Sequence, residues 1–372
     1  MNTTGKQSQG NQSPFSVDPN RKVRTCVLGL GHWGPNLVRA IERHPRAQVV
    51  VAADPSADRR ALVAEKIPHV PLEATLTDCL EKHDFDAVFV AVPTEMHYQI
   101  GMRVLQSGKH LFMEKPLAGN SQECLELCEE ADRRKLQLMT GHIFMFNDGI
   151  TTMRNIVKQG DLGNLFYLHS VRTNLGPLRS DVNAIWDLAS HDISIFNYIF
   201  ESLPMQVTCS AFSLLGRPMQ DVAQGTIVYP NNRIAAFFVS WLDPQKKREI
   251  TAVGDRKMLV FDDMRPERPL KIFDKGITVS KPAEYSDNFN NFRMSIRDGG
   301  CLEPEITPGE PLFNECCHFI DSVIAGTRPI TDGYNGLDVV RVLEALTRSM
   351  SEGGRPVSLW HQESSGSRVA GR

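Results

Sequence analysis

Lys22-Val23-Arg24-Thr25-Cys26-Val27-Leu28 runs directly into Gly29-Leu30-Gly31-His32-Trp33-Gly34. The first seven residues read as a strand. The segment after the glycines reads as a helix to Arg43, which Pro45 terminates. Glycines with this spacing, between a strand and a helix, suit a dinucleotide. Gly29 permits a tight turn, Gly31 lets backbone N–H groups approach a pyrophosphate, and Gly34 allows close helix–strand packing. His32 and Trp33, between them, join the candidate cofactor-binding set. A second strand, Gln48–Ala53, ends at Asp54, 20 residues beyond Gly34. That is where a carboxylate bonds the adenosine ribose. Its charge repels a 2′-phosphate, so the expected cofactor is NAD, with NADP the alternative because Arg59 and Arg60 follow.

Outward from this unit the alternation continues. Leu76–Lys82 suggests a short helix, and Asp86–Val92 a buried parallel strand that stops at Pro93-Thr94. A helix follows over Thr94–Ser107, with His97 in its first turn and Gly108 as its cap. Lys109–Met113 is the next strand. It ends in Glu114-Lys115-Pro116, a charged pair at the strand terminus, where open α/β sheets bind ligands. A lysine there can polarise a hydroxyl or carbonyl, and the proline stops the strand. A helix over Ser121–Arg134 and a strand over Leu136–Gly141 complete a doubly wound parallel sheet. Pro93, Thr94, His97, Glu114 and Lys115 are its further candidate cofactor-binding residues.

After His142 the pattern changes to α+β. Helices are expected over Gly149–Gln159, Trp186–Phe200, Leu312–Ala325 and Leu337–Met350. Strands are expected over Leu165–Thr173, Gln206–Leu214, Gly225–Tyr229, Arg233–Leu242, Arg248–Val253 and Lys257–Phe261, making a mainly antiparallel open sheet. Asn231-Asn232 is a hairpin-type turn. Arg233–Leu242 is apolar on both alternate faces, so helices cover one and a second subunit is the candidate for the other. The expected division is a disordered tail over 1–21, a Rossmann domain over 22–142, a substrate and oligomerisation domain over 143–358, and a loose tail over 359–372.

In the second half Asp187 and His191 stand at i and i+4, on one face of an expected helix. A carboxylate beside an imidazole orients it and stabilises the imidazolium formed when it takes a proton. Arg179, Asn183 and Trp186, just upstream, are candidate substrate contacts: a guanidinium for a diphosphate, an amide for hydroxyls, an indole for a sugar or base face. For Arg179 and Asn183 the alternative is turn capping; for Trp186 it is core packing. The net charge of −3 offers no case for nucleic-acid or membrane-surface binding. Met1–Asn20 is polar and lacks a signal peptide's apolar segment, so the expected location is the cytoplasm. The 8 cysteines show no metal-ligand spacing and are expected to be reduced, and no metal site is expected.

Gly29-x-Gly31-x-x-Gly34, Asp54, Val92-Pro93-Thr94 with His97, Glu114-Lys115-Pro116 and Asp187-x-x-x-His191 together resemble the Gfo/Idh/MocA oxidoreductase family. The resemblance covers about residues 22–355. It implies a Rossmann domain with bound NAD(H) or NADP(H), followed by a sheet domain that carries substrate and packs subunits into a homo-oligomer, a dimer or tetramer. It also implies that Lys115, Asp187 and His191 serve hydride transfer between nicotinamide and a secondary alcohol of a sugar. The Leu175–Leu188 segment looks like that of the nucleotide-sugar subgroup. Family enzymes often carry small residues before the aspartate, where this chain has Ala184-Ile185-Trp186. With Arg179, Asn183 and Trp186 ahead of the expected catalytic helix, the expected substrate is a UDP-sugar oxidised or reduced at C3. The alternatives are an inositol or free-sugar dehydrogenase and a non-enzymatic NAD(P)-binding regulator on the same fold.

Overall fold

A computed structural model describes residues 20–176, 178–179, 182–279 and 294–359. The tails expected over 1–21 and 359–372 lie outside the described residues, apart from positions 20, 21 and 359. The chain forms two compact units, residues up to Gly141 with Leu312–Gly336, and His142–Pro311 with Leu337 onward.

The first unit holds a six-stranded, wholly parallel sheet in the order β3-β2-β1-β4-β5-β6. The strands are β1 (Val23–Leu28), β2 (Ala47–Ala53), β3 (Leu72–Glu73), β4 (Ala87–Val90), β5 (His110–Glu114) and β6 (Leu138–Gly141). This doubly wound order reverses direction at β1/β4, where the carboxyl ends of the strands open a crevice. The helices between them are α1 (Gly34–Glu42), α2 (Ala57–Ala64), α3 (Leu76–Lys82), α4 (His97–Gln106) and α5 (Ser121–Arg134). Local chemistry sets their ends. The Asn120 side chain caps α5 at Glu123 N–H, Arg133 and Arg134 occupy its last turn, and Lys135 leaves it left-handed. The helix α2 and the two-residue β3 were not expected from the sequence.

In the second unit α6 (Asp148–Lys158) and α7 (Ser190–Phe200) pack on a nine-stranded sheet. Its strands are β7 (Leu165–Leu175), β8 (Gln206–Phe212), β9 (Val222–Tyr229), β10 (Arg233–Ser240), β11 (Leu242–Gly254), β12 (Met258–Asp262), β13 (Leu270–Val279), β14 (Met294–Leu302) and β15 (Val357–Ser358). Among the described residues of this sheet, β7 and β10 pair in parallel and the other ladders are antiparallel. Alternation buries Ala235, Phe237 and Val239 of β10 in the core, while Ile234 faces outward at 39% exposure. Asn231 and Asn232 both have positive φ, at 61° and 55°, and turn β9 into β10. The sequence reading missed β13, β14 and β15.

The chain then returns to the first unit, in a division the sequence does not announce. Helix α8 (Pro311–Ala325) packs on the six-stranded sheet, and α9 (Gly333–Ser351) leads the chain back into the second unit. Phe319 of α8 meets Phe89 edge-on at 5.1 Å and Phe112 at 5.8 Å, and those two rings stack at 4.9 Å across β4 and β5. Aromatic trios of this kind add specific geometry to a large buried area. Phe319→Ala should therefore destabilise the protein by about 3–5 kcal/mol, the usual cost of deleting a buried ring. Urea unfolding measures this, and an unmoved midpoint would show that α8 contributes nothing to holding the sheet.

Candidate active site

The glycine loop has a distinct role at each position. Gly29 has φ +90°, and a Cβ there would lie 2.3 Å from the Ala91 carbonyl oxygen. A Cβ on Gly34 would lie 2.1 Å from the Gly29 carbonyl oxygen, so the turn and the start of α1 close only with glycine at both places. At Gly31 a Cβ would meet nothing within 4 Å. The loop surface there is open, as approach of a pyrophosphate requires. No acidic residue stands in the first turn of α1, so its positive dipole end is unopposed. His32 and Trp33 are exposed on the rim, with their rings edge to face at 5.6 Å. These features fit a dinucleotide.

Asp54, at the end of β2, is only 2% exposed. Its Oδ2 accepts from Leu30 N–H at 2.8 Å and its Oδ1 from Ser56 N–H at 2.9 Å. The carboxylate thus ties β2 to the glycine loop, and its remaining lone pairs are those available to a ribose. Arg59 Nη1 stands 3.5 Å from Oδ2 and Arg60 Nη1 bonds the Asp54 carbonyl, so both arginines gather at the same strand end.

The carboxyl ends of β4 and β5 bring the next group together. Pro93 is exposed, and Thr94 opens a short 3₁₀ turn ahead of α4. His97, a candidate cofactor-binding residue for which an exposed helix start is the alternative, is 1% exposed, which removes that alternative. Its Nδ1 lies 2.8 Å from the Pro116 carbonyl oxygen and its Nε2 2.9 Å from that of Val92. The ring is a strut joining two loops of the sheet edge. Propensity at a helix start carries no information about that burial. Lys115 follows β5 directly, half-buried, through a cis bond to Pro116. Burial pushes the Glu114 carboxyl up to about 7, against the pull of the Lys115 charge and backbone N–H. A cleft of about 880 Å³ in the same unit opens beside His110 and Tyr334. It lies at the amino ends of β5 and β6, away from the glycine loop.

In the second unit Asp187 lies in a π-helical turn, Ile185–Ala189, that runs into α7. The sequence reading had an ordinary α-helix from Trp186. Wide turns of this type are frequent at functional sites. Both Asp187 carboxylate oxygens are engaged: Oδ1 accepts from Arg179 Nη1 and Oδ2 from Trp241 Nε1, each at 3.2 Å. His191 comes four residues later, its ring edge to face with Phe144 at 5.1 Å. The Arg172 guanidinium stands over the Phe144 ring, 4.4 Å from its centroid, and that of Arg248 at 5.9 Å. Arg172 forms a buried ion pair with Asp192 at 2.9 Å. Burial raises the Asp192 carboxyl, against the pull of that arginine.

Of the expected substrate contacts, Asn183 accepts Trp186 N–H at Oδ1 and donates from Nδ2 to Gln220. Trp186 packs against the core with its indole N–H on Thr347. Arg179 pairs with Asp187 while its side chain stays 36% exposed. Sequence reasoning missed Trp241 and Arg172. The signal for Arg172 was a charge at an inward position of β7, which burial allows only when paired.

Two family models match the chain: an oxidoreductase family with an NAD-binding Rossmann fold over residues 23–142, and a GFO/IDH/MocA C-terminal domain over residues 150–260. An uncharacterised oxidoreductase of Streptococcus pneumoniae is 29% identical over 150 residues, 40% of this chain and 40% of its own length. An inositol 2-dehydrogenase of Mycolicibacterium gilvum is 30% identical over 48% of this chain and 52% of its own. These matches span about half or less of the curated relatives. Among solved structures, the WlbA dehydrogenase of Bordetella pertussis in complex with NADH and UDP-GlcNAcA superposes with a TM-score of 0.74 at 19% identity, covering 92% of this chain and 99% of that one.

The open space at Gly31 separates binding from folding. Gly31→Val should leave the urea midpoint within about 0.5 kcal/mol of wild type while weakening NADH at least tenfold in a fluorescence titration. Gly34→Val should unfold the unit outright. Equal effects of both changes on stability would show that Gly31 serves the turn and not the ligand.

Proposed function

Because the chain belongs to the Gfo/Idh/MocA oxidoreductase family, we propose that it moves hydride between NAD and a secondary alcohol of a sugar. The observation that carries this reading is the clamped Asp187 carboxylate, four residues ahead of His191, in a chain that also places Lys115 directly after a Rossmann strand. A non-enzymatic nucleotide sensor needs neither the base nor the cation.

NAD is the cofactor, and when bound it supplies the hydride acceptor; the Gly29–Gly34 loop, the start of α1 and the end of β2 are the elements that hold it. His191 takes the hydroxyl proton as general base. Asp187, fixed by Arg179 and Trp241, presents a defined negative charge at that end of α7 and stabilises the imidazolium. Lys115 donates to the substrate oxygen and favours the developing alkoxide. Phe144 limits the tilt of the His191 ring.

Within the sugars, a nucleotide sugar such as a UDP-sugar turned over at C3 is the substrate class we assign. Arg179 supports it, since a guanidinium that bonds Asp187 while 36% exposed is of the type that recognises a diphosphate. The likeness to the Bordetella enzyme is consistent with it, although at 19% identity that likeness speaks for the fold. The outward face of the nine-stranded sheet, where Ile234 stands beside Tyr167 and Val228, and Phe238 beside Val171, supports assembly of subunits through that face.

Lys115→Met and His191→Ala should each lower turnover by about 10²–10⁴ while NADH still binds; normal turnover in His191→Ala would remove the base assignment. Assayed side by side, UDP-GlcNAc or its uronic acid should outperform myo-inositol and glucose. Arg179→Ala should raise KM for the nucleotide sugar about tenfold or more, the value of a charged hydrogen bond. Efficient turnover of myo-inositol, or an unchanged KM in Arg179→Ala, would exclude the nucleotide-sugar reading.

A further inference from the structure

Glu315 lies within α8 with no solvent exposure. Neither of its carboxylate oxygens meets a hydrogen-bond partner among the described residues. An ionised carboxylate so placed has no compensation for lost hydration. Its surroundings follow from two periodicities. Phe319, one helical turn later on the same face of α8, contacts Phe112, and Phe112 shares a face of β5 with Glu114, two residues on. Glu315 therefore faces Glu114 at the carboxyl edge of the sheet. Gly141, paired with Glu114 across β5 and β6, supplies the room: a Cβ there would come within 3.1 Å of Glu114 Oε2.

We propose that Glu114 and Glu315 form a carboxyl pair that shares one proton behind Lys115, with Glu315 keeping it, so that a single negative charge on Glu114 holds the lysine ammonium. Glu315 is then a positioning residue that acts through Glu114. Two like charges in one buried site cannot both ionise at ordinary cost. Burial raises the Glu315 carboxyl well above the usual range, and the Glu114 charge raises it further. Glu114, with Lys115 beside it, is the member that can carry the charge. The other ionisable groups nearby are turned elsewhere: His97 bonds the Val92 and Pro116 carbonyls, His318 accepts from Ile330 N–H, and Asp321 pairs with His44. Gly141, paired with Glu114 across β5 and β6, carries no charge; β4 ends at Val90, which pairs with Met113; and His142, the residue after Gly141, is a buried titratable group next in the chain.

The consequence for turnover rests on the role given to Lys115 above, so the test has arms with and without activity. In full-length protein with ¹³C-labelled glutamate carboxyls, one resonance, absent from Glu315→Gln, should keep its protonated shift from about pH 5 to 8. The midpoint of Glu114, identified through Glu114→Gln, should move by less than about half a pH unit in Glu315→Gln. Stability gives a second reading. A folded chain that holds a proton which the unfolded chain loses becomes less stable as pH rises. Glu315→Gln should therefore gain on wild type in urea midpoint between about pH 5 and 8, and Glu315→Met serves the same comparison if the amide variant does not fold. In the activity arm, Glu114→Gln should shift the basic limb of kcat/KM down by at least about one pH unit. Ionisation of Glu315 below about pH 7, or a Glu114 midpoint that falls by more than a unit in Glu315→Gln, overturns the shared proton. An intact carboxyl titration with an unshifted basic limb in Glu114→Gln overturns the link to Lys115 alone.

Discussion

A Cβ on Gly34 would stand 2.1 Å from the Gly29 carbonyl oxygen, and one on Gly29 would stand 2.3 Å from that of Ala91. Three backbone segments, the end of β1, the start of α1 and the end of β4, thus converge where no side chain fits. Their convergence turns the loop so that Leu30 N–H reaches Asp54 and Gly31 opens outward. The same contact fixes where β4 stops, and with it the Val92 carbonyl that His97 bonds. Through His97 the constraint reaches the Pro116 turn and hence Lys115, the cation at the carboxyl edge of the sheet.

The second unit meets a different physical problem, holding a carboxylate in one orientation four residues ahead of an imidazole. Its solution is a widened turn with donors from two directions, Arg179 ahead of the turn and Trp241 from the β10–β11 junction. Arg172 and Asp192 form a buried pair beneath the same helix start. Breaking such a pair is more costly than the pair itself is stabilising. Its value here is a fixed place for Phe144 and, through it, for His191.

What could be read from the chain alone was what short-range chemistry determines. The glycine spacing, the span Ser121–Arg134 of α5, and the Asn231-Asn232 turn are each specified within a few residues. The site's supporting groups were not legible, because they depend on distant partners. Nothing around Trp241 announces that its indole N–H bonds Asp187, and nothing around Glu315 announces a carboxylate 201 positions earlier. β3 escaped because two residues carry no periodicity, and α2 because Asp58, Arg59 and Arg60 mask its apolar face. The return of α8 to the first unit follows from Phe319 meeting Phe89 and Phe112, a tertiary contact with no local signal.

Hydride transfer from a sugar carbon to NAD is open to one direct measurement. The protein is incubated with NAD and UDP-GlcNAcA deuterated at C3, and the nucleotide product is analysed by mass spectrometry. Deuterium should appear in the nicotinamide ring, at a rate severalfold below that of hydrogen from the unlabelled sugar if transfer limits turnover. Reduced nucleotide without deuterium would place the reacting carbon elsewhere on the sugar. Absence of any reduced nucleotide with this sugar, with myo-inositol and with glucose would contradict the dehydrogenase reading itself.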